Sequence, residues 1–99
     1  MPVTLTTTEN RLIHTLQVLG DKTRFRMFKM LSADSDLCVS EIASQLDISV
    51  SAVSQHFRQF ELLGLVSKKR HGQRICYELS TDDTFVHALT DIINKGGSK

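Results

Sequence analysis

Two helix starts crowd together near the middle of the chain, and that crowding limits what it can fold into. Ser40 can cap a short helix carrying Ile42, Ala43 and Leu46, and a new start follows at Ser49 with only Asp47 and Ile48 between. Helices joined this closely cannot lie antiparallel and must turn sharply. The Ser49 start is doubly specified. A serine cap has Ile48 before it and Val53 four positions after it, the spacing of a hydrophobic staple that fixes the angle at which the chain runs into the helix. At 100° per residue, Val50, Val53, Phe57 and Phe60 fall on one side, and Ser51, Ser54, Gln55 and Arg58 fall on the other.

The flanking segments supply the rest of a small fold. Thr6-Thr7-Thr8-Glu9 fits a capping box, and a helix from near Thr8 carries Leu12, Ile13, Leu16 and Leu19 before Gly20 ends it. Asp21 caps a second helix with Phe25, Phe28 and Leu31 inward and Lys22, Arg24, Arg26 and Lys29 toward solvent; Ser32 to Asp36 reads as a loop. Beyond Ser49, Gly64 can stop the helix in a left-handed cap. Leu65 to Arg70 and Arg74 to Leu79 then read as strands around His71-Gly72-Gln73, with Ile75, Tyr77 and Leu79 on one face and Arg74, Cys76 and Glu78 on the other. A last helix, capped around Ser80 or Thr81 and opened by Asp82 and Asp83, carries Phe85, Val86, Leu89, Ile92 and Ile93. The predicted class is mainly α with a two-stranded β-hairpin, in the order of four helices, a hairpin and a helix: a winged helix-turn-helix. One domain is expected over residues 8–94, with 95–99 as a disordered tail.

Charge gives the fold a direction. The formal net charge is only +1, yet Ser49 to Arg74 holds Arg58, Lys68, Lys69, Arg70 and Arg74 against the single acid Glu61. A near-neutral chain that gathers its positive charge in one segment is prepared to meet a polyanion there. A helix in the major groove needs short side chains near its N-terminus and groups that reach base edges; Ser49, Ser51, Ala52, Ser54, Gln55 and Arg58 meet that need. His56 lies at the edge of the apolar face, where a structural role competes with a DNA contact. Lys68, Lys69, Arg70, His71, Gln73 and Arg74 would form a wing that grips phosphates or reaches the minor groove. A polar helix face taken alone is usually a solvated surface; the combination with a short helix, a tight turn and a basic hairpin favours DNA. The rival reading is a winged-helix protein-interaction module meeting an acidic partner.

The terminal helices carry apolar stripes that a short chain can hardly cover from both sides. Leu12, Ile13, Leu16, Phe85, Leu89, Ile92 and Ile93 are therefore expected at a homodimer interface, and the DNA target is expected to be double-stranded with an inverted repeat. No nucleophile stands at a defensible spacing from a base, and no Gly-rich phosphate loop occurs, so an enzyme is not expected. No apolar run is long enough to cross a bilayer, and two cysteines are too few for a disulfide scaffold; a cytoplasmic, prokaryotic setting is expected.

Several segments together resemble the ArsR/SmtB family of bacterial and archaeal repressors. They are Asp36-Leu37-Cys38-Val39-Ser40-Glu41-Ile42-Ala43, Ser49-Val50-Ser51-Ala52-Val53-Ser54-Gln55-His56-Phe57, Gly64-Leu65-Val66, Arg70-His71-Gly72-Gln73-Arg74 and Tyr77-Glu78-Leu79. Leu19-Gly20-Asp21-Lys22-Thr23-Arg24-Phe25-Arg26 is similar to the family's early helix pair. The resemblance spans about residues 10 to 90. It implies a homodimer built by the first and last helices, an operator with two-fold symmetry, and release from DNA when an effector is sensed.

The effector is not legible. Family members often bind soft ions through a Cys-x-Cys where this chain has Cys38 and Ser40, so Cys38 reads as a packed apolar residue, with Cys76 not expected to reach it within one subunit. The family's last-helix metal site is replaced by Asp83, His87 and Asp91 at four-residue spacings, a possible ligand face that helix-capping acids explain equally well. Redox sensing by Cys38 or Cys76 stays open, and His14 reads as a surface residue.

Overall fold

The structure is a computed structural model that describes residues 4–34 and 36–96. Its elements are α1 (Thr7–Leu19), α2 (Lys22–Ala33), β1 (Leu37–Cys38), α3 (Val39–Leu46), α4 (Val50–Leu62), β2 (Val66–His71), β3 (Arg74–Leu79) and α5 (Thr84–Gly96). The capping box at α1 forms as its sequence requires: the Glu9 amide donates to Thr6 Oγ1 at 3.0 Å, and the Thr6 amide donates to Glu9 Oε1 at 2.8 Å. Asp21 caps α2 through the Arg24 amide, and Ser49 caps α4 through the Ala52 amide.

The turn between α3 and α4 rests on Asp47, whose φ of 55° places it in the left-handed region. Asp tolerates that conformation better than most residues with a Cβ. The chain doubles back at once, and the Ile48 amide donates to the Ala43 carbonyl at 3.1 Å. The sharp turn required by the spacing is thus made by one residue.

The hairpin gains a third strand. β1 pairs antiparallel with β3, in the order β1-β3-β2, bringing Leu37 opposite Tyr77 and Cys38 opposite Cys76. The expected two-stranded hairpin missed this pairing because two residues carry no visible period. The hairpin turns at Gly72-Gln73, with Gly72 at φ 64°, the first position of a tight loop that glycine fills without strain.

The core lies where α2, α3, α4 and the sheet converge. Phe28, Phe57 and Phe60 are fully buried. Phe60 meets the other two rings edge-on, and Tyr77 stacks on Phe57 with centroids 4.1 Å apart. Each such ring contributes about 1.5–3 kcal/mol by leaving water. Met27, Leu31, Ile42, Val53, Leu65 and Val86 fill the space around them.

Several expectations are corrected. Phe25 is exposed, and Met27 takes the inward place on α2 because Phe28 and Leu31 set the buried stripe one residue around. Val50 is half-exposed in the first turn of α4, before the helix reaches the core. Cys38, not Ser40, is the residue before α3, because β1 runs straight into the helix. Asp83, not Ser80 or Thr81, caps α5, accepting from the Phe85 amide at 2.9 Å. Helix α5 extends through Gly96, so the expected tail at 95–99 is helical at its start; residues 97–99 lie outside the described residues. No helix among the described residues is long and apolar enough to cross a membrane.

Candidate nucleic-acid interface

Helix α4 presents two unlike sides, and the core decides which is which. Val53, Phe57 and Phe60 are buried, so Ser51, Ser54, Gln55, Arg58, Gln59 and Leu62 line one shallow depression on the outside. Ser49, Ser51, Ser54, Gln55 and Arg58 are exposed, whereas Ala52 and His56 are half-buried, with His56 near Asp21 and Arg24 at the start of α2. For His56, partial burial lowers the imidazole pKa, the Arg24 guanidinium lowers it further, and Asp21 opposes both. A neutral ring beside the start of α2 follows, which fits a positioning role better than a phosphate contact.

The wing stands beside the N-terminal end of this helix. Val39 and Ser40 of α3, Val50 and Ser54 of α4, and Gln73, Arg74 and Ile75 of the hairpin line a common groove. The register sorts the hairpin bases into two sets. Lys68 pairs with Tyr77 and Arg70 with Ile75, so they share the face whose Tyr77 stacks against Phe57 of α4. Lys69, His71 and Arg74 share the opposite face, where each meets a carboxylate: Lys69 with Glu78 at 3.0 Å, Arg74 with Glu41 at 3.3 Å and His71 with Asp36 at 3.5 Å. The three bases are exposed, and such surface pairs are weak enough to exchange with a stronger anion.

One residue in this architecture was invisible in the sequence. Arg11 of α1 donates from Nε to the Leu63 carbonyl at 3.0 Å and from Nη2 to the Gly64 carbonyl at 3.3 Å, at the C-terminal end of α4. The same guanidinium pairs with Asp83 at 2.8 Å and lies over the Phe85 ring at 4.4 Å. It thereby ties α1 and α5 to the end of α4. Nothing local marks an arginine whose partners lie 52 and 72 residues away.

The apolar surface of the terminal helices is real but uneven. Leu12, Ile13, Leu16 and Ile92 are exposed, with Leu16 at 58% and Ile92 at 67%. Phe85 and Leu89 are partly buried, and Ile93 lies in the chain's own core, which removes it from the expected interface. His14 is exposed.

The cysteine and last-helix expectations need correction. Cys38 and Cys76 are joined by a disulfide within one chain, because β1 aligns them across the sheet. Cys38 is buried, as a packed residue would be, but it is not alone. Asp83 caps α5 and pairs with Arg11, and Asp91 pairs with Lys95 one turn on, so two of the three candidate ligands on that face are engaged. Among the described residues, the group that converges within ligand distance is Asp36, His71 and Cys76 instead.

Comparison with known proteins agrees with this geometry. The model of the family described as bacterial regulatory protein, arsR family, matches residues 21–68, from the cap of α2 into β2. The chain is 31% identical over 75 residues to a cadmium resistance transcriptional regulatory protein CadC homolog of Staphylococcus aureus, covering 76% of this chain and 60% of that protein. It is 32% identical over 80 residues to the transcriptional activator HlyU of Vibrio cholerae, covering 81% of this chain and 71% of the other. The solved structure of HlyU from Vibrio cholerae superposes with a TM-score of 0.83 at 27% identity, over 96% of this chain and all of that one. A solution structure from Mycobacterium bovis described as a homodimeric winged helix-turn-helix DNA-binding domain shares the fold at 20% identity, with a TM-score of 0.75 over 88% of this chain and 78% of the other. With a winged helix-turn-helix in place and relatives similar over most of its length, the chain belongs to the ArsR family of bacterial regulatory proteins.

Proposed function

We propose that the chain is a homodimeric, sequence-specific transcriptional regulator of a prokaryotic cytoplasm, with residues 8–94 forming one DNA-binding and dimerisation domain. The observation that carries the reading is the shared groove: the exposed start of α4 and the tip of a basic wing face one surface. Ser51, Ser54, Gln55 and Arg58 read base edges in the major groove, with Gln55 suited to adenine. Lys68 and Arg70, on the face turned toward α4, hold flanking phosphates, with Lys69, Gln73 and Arg74 assisting once DNA displaces their carboxylate partners. Leu12, Ile13, Leu16 and Ile92, flanked by Phe85 and Leu89, form the subunit contact. Two recognition helices then lie about 34 Å apart, and the operator is an inverted repeat bound as double-stranded DNA. The curated relatives are named as regulators of transcription, which supports a regulator over an enzyme.

Gel shifts on a selected operator and on random duplex test it. Gln55→Ala should weaken operator binding about tenfold or more while leaving random binding within about twofold. Replacing Lys68, Lys69 and Arg70 together by alanine should weaken both and reduce the salt slope by up to about 5, three charges from each subunit at about 0.9 each. No binding to any duplex at low salt would favour a protein-interaction module instead. Sedimentation at micromolar concentration should show a dimer, and a monomer would remove the basis for the inverted repeat.

A further inference from the structure

The face of the sheet opposite α4 brings together three metal-ligating side chains from three separate segments, with a fourth, Cys38, bonded to one of them. Cys38 ends β1, Cys76 sits across from it in β3, His71 ends β2 at the wing tip, and Asp36 lies just before β1. Ligand atoms of Asp36, His71 and Cys76 all lie within 4.8 Å of one another, and Cys38 is bonded to Cys76. We propose that, with the Cys38–Cys76 bridge reduced, these four side chains bind a thiophilic divalent cation of the zinc(II) type in tetrahedral S2NO geometry.

The geometry fits such an ion. Nitrogen and oxygen ligands at about 2.0–2.1 Å from zinc stand about 3.3 Å apart along a tetrahedral edge. His71 Nε2 and Asp36 Oδ2 are already 3.5 Å apart. Two thiolates at about 2.3 Å from zinc stand about 3.8 Å apart, close to the van der Waals contact two sulfurs adopt once their bond is gone. The half-exposed His71 and Asp36 leave a path from solvent, whereas Cys76 and Cys38 are buried at its inner end. The donors also match in kind: two thiolates select thiophilic ions, and imidazole and carboxylate complete a set that zinc accepts.

The chemistry makes the two states exclusive. A dithiol reductant delivers two electrons and two protons to the bridge, giving two thiols and oxidised reductant; the cation then displaces the two thiol protons. The disulfide offers no thiolate, so it cannot bind the ion. When bound, the ion links the wing tip to the segment leading into α3.

Anaerobic titration of the full chain with cobalt(II) tests this, followed by zinc(II) competition and with no DNA present. The reduced protein should bind one cobalt per chain, with a thiolate-to-metal charge-transfer band and the intense visible bands of a tetrahedral site, both abolished by zinc. The disulfide form should show neither. Cys76→Ser should lose most of the charge-transfer band. His71→Ala and Asp36→Asn, at exposed positions, should keep the fold and that band while weakening binding at least tenfold, and His87→Ala should change nothing. Equal affinity in wild type, His71→Ala and Asp36→Asn would overturn the site, as would an octahedral spectrum or loss of binding in His87→Ala. The readout is independent of operator binding, so its failure leaves the DNA reading intact and the reverse holds.

Discussion

Replacing Arg11 by alanine should destabilise the protein out of proportion to an ordinary surface substitution. The guanidinium satisfies the Leu63 and Gly64 carbonyls and covers Phe85, and it is only about a quarter exposed on its side chain, at 27%. A hydrogen bond from a charged donor contributes about 1.5–3 kcal/mol, and a cation over a ring about 0.5–1 kcal/mol. These contributions share one side chain and do not add in full, so the expected loss is about 2–4 kcal/mol. For a chain of this size, each kcal/mol lowers Tm by about 4–8 °C, so a fall of roughly 8–32 °C follows. Arg11→Lys should recover less than half, because an ammonium cannot fork between a carboxylate and two carbonyls. Urea unfolding at several protein concentrations separates the loss from a change in dimer dissociation. A loss below about 1 kcal/mol, or full recovery with lysine, would show that Arg11 is not the clamp its geometry implies.

Three further outcomes follow from the same structure. The hydrogen bond from Arg11 holds the Asp83 carboxyl below its usual pKa, so its contribution is present above the unfolded value near 3.8 and is lost as pH falls through the folded value; the gap between wild type and Asp83→Asn in urea midpoint should close in acid. Burial, then the nearby Glu61 carboxylate, pushes Tyr77 up to about 12. Stability from its neutral form should therefore fade as pH rises from about 10 toward that value; as the chain's single tyrosine it can be followed by absorbance, and Glu61→Gln should lower its midpoint. Gly64→Ala places a Cβ 3.1 Å from Arg11 Nη2 at φ +70°, whereas Gly72→Ala at φ +64° meets nothing within 4 Å; Gly64→Ala should cost about 1–2 kcal/mol in thermal or urea unfolding and Gly72→Ala only about 1 kcal/mol.

What the sequence made legible was whatever sits inside one element or one turn. The Thr6 box, the Asp21 and Ser49 caps and the left-handed Gly64 depend on neighbours within a few residues, and each is found where its spacing requires. The polar side of α4 was legible for the same reason: the burial of Val53, Phe57 and Phe60 leaves Ser51, Ser54, Gln55 and Arg58 outside. What failed depended on distance. Arg11 finds partners at the ends of two other helices, and Cys38 meets Cys76 because a strand too short to show a period aligns them. Phe25 and Val50 were misplaced because helical spacing fixes relative angles, and only the packed neighbours decide which apolar residues near the edge of a stripe, or in a helix's first turn, reach the core.

The junction between β1 and α3 has no slack. Cys38 closes the strand and Val39 opens the helix, while the Cys38 amide donates to Glu41 Oε1 at 2.9 Å, pinning the junction from the helix side. The sheet that carries the wing and the helix pair that carries α4 are therefore soldered at a point rather than hinged by a loop. In the proposed complex, the distance between the base step met by α4 and the phosphate met by the wing is then a fixed ruler, and a one-residue insertion between Cys38 and Val39 would put it out of step with the helical pitch of DNA.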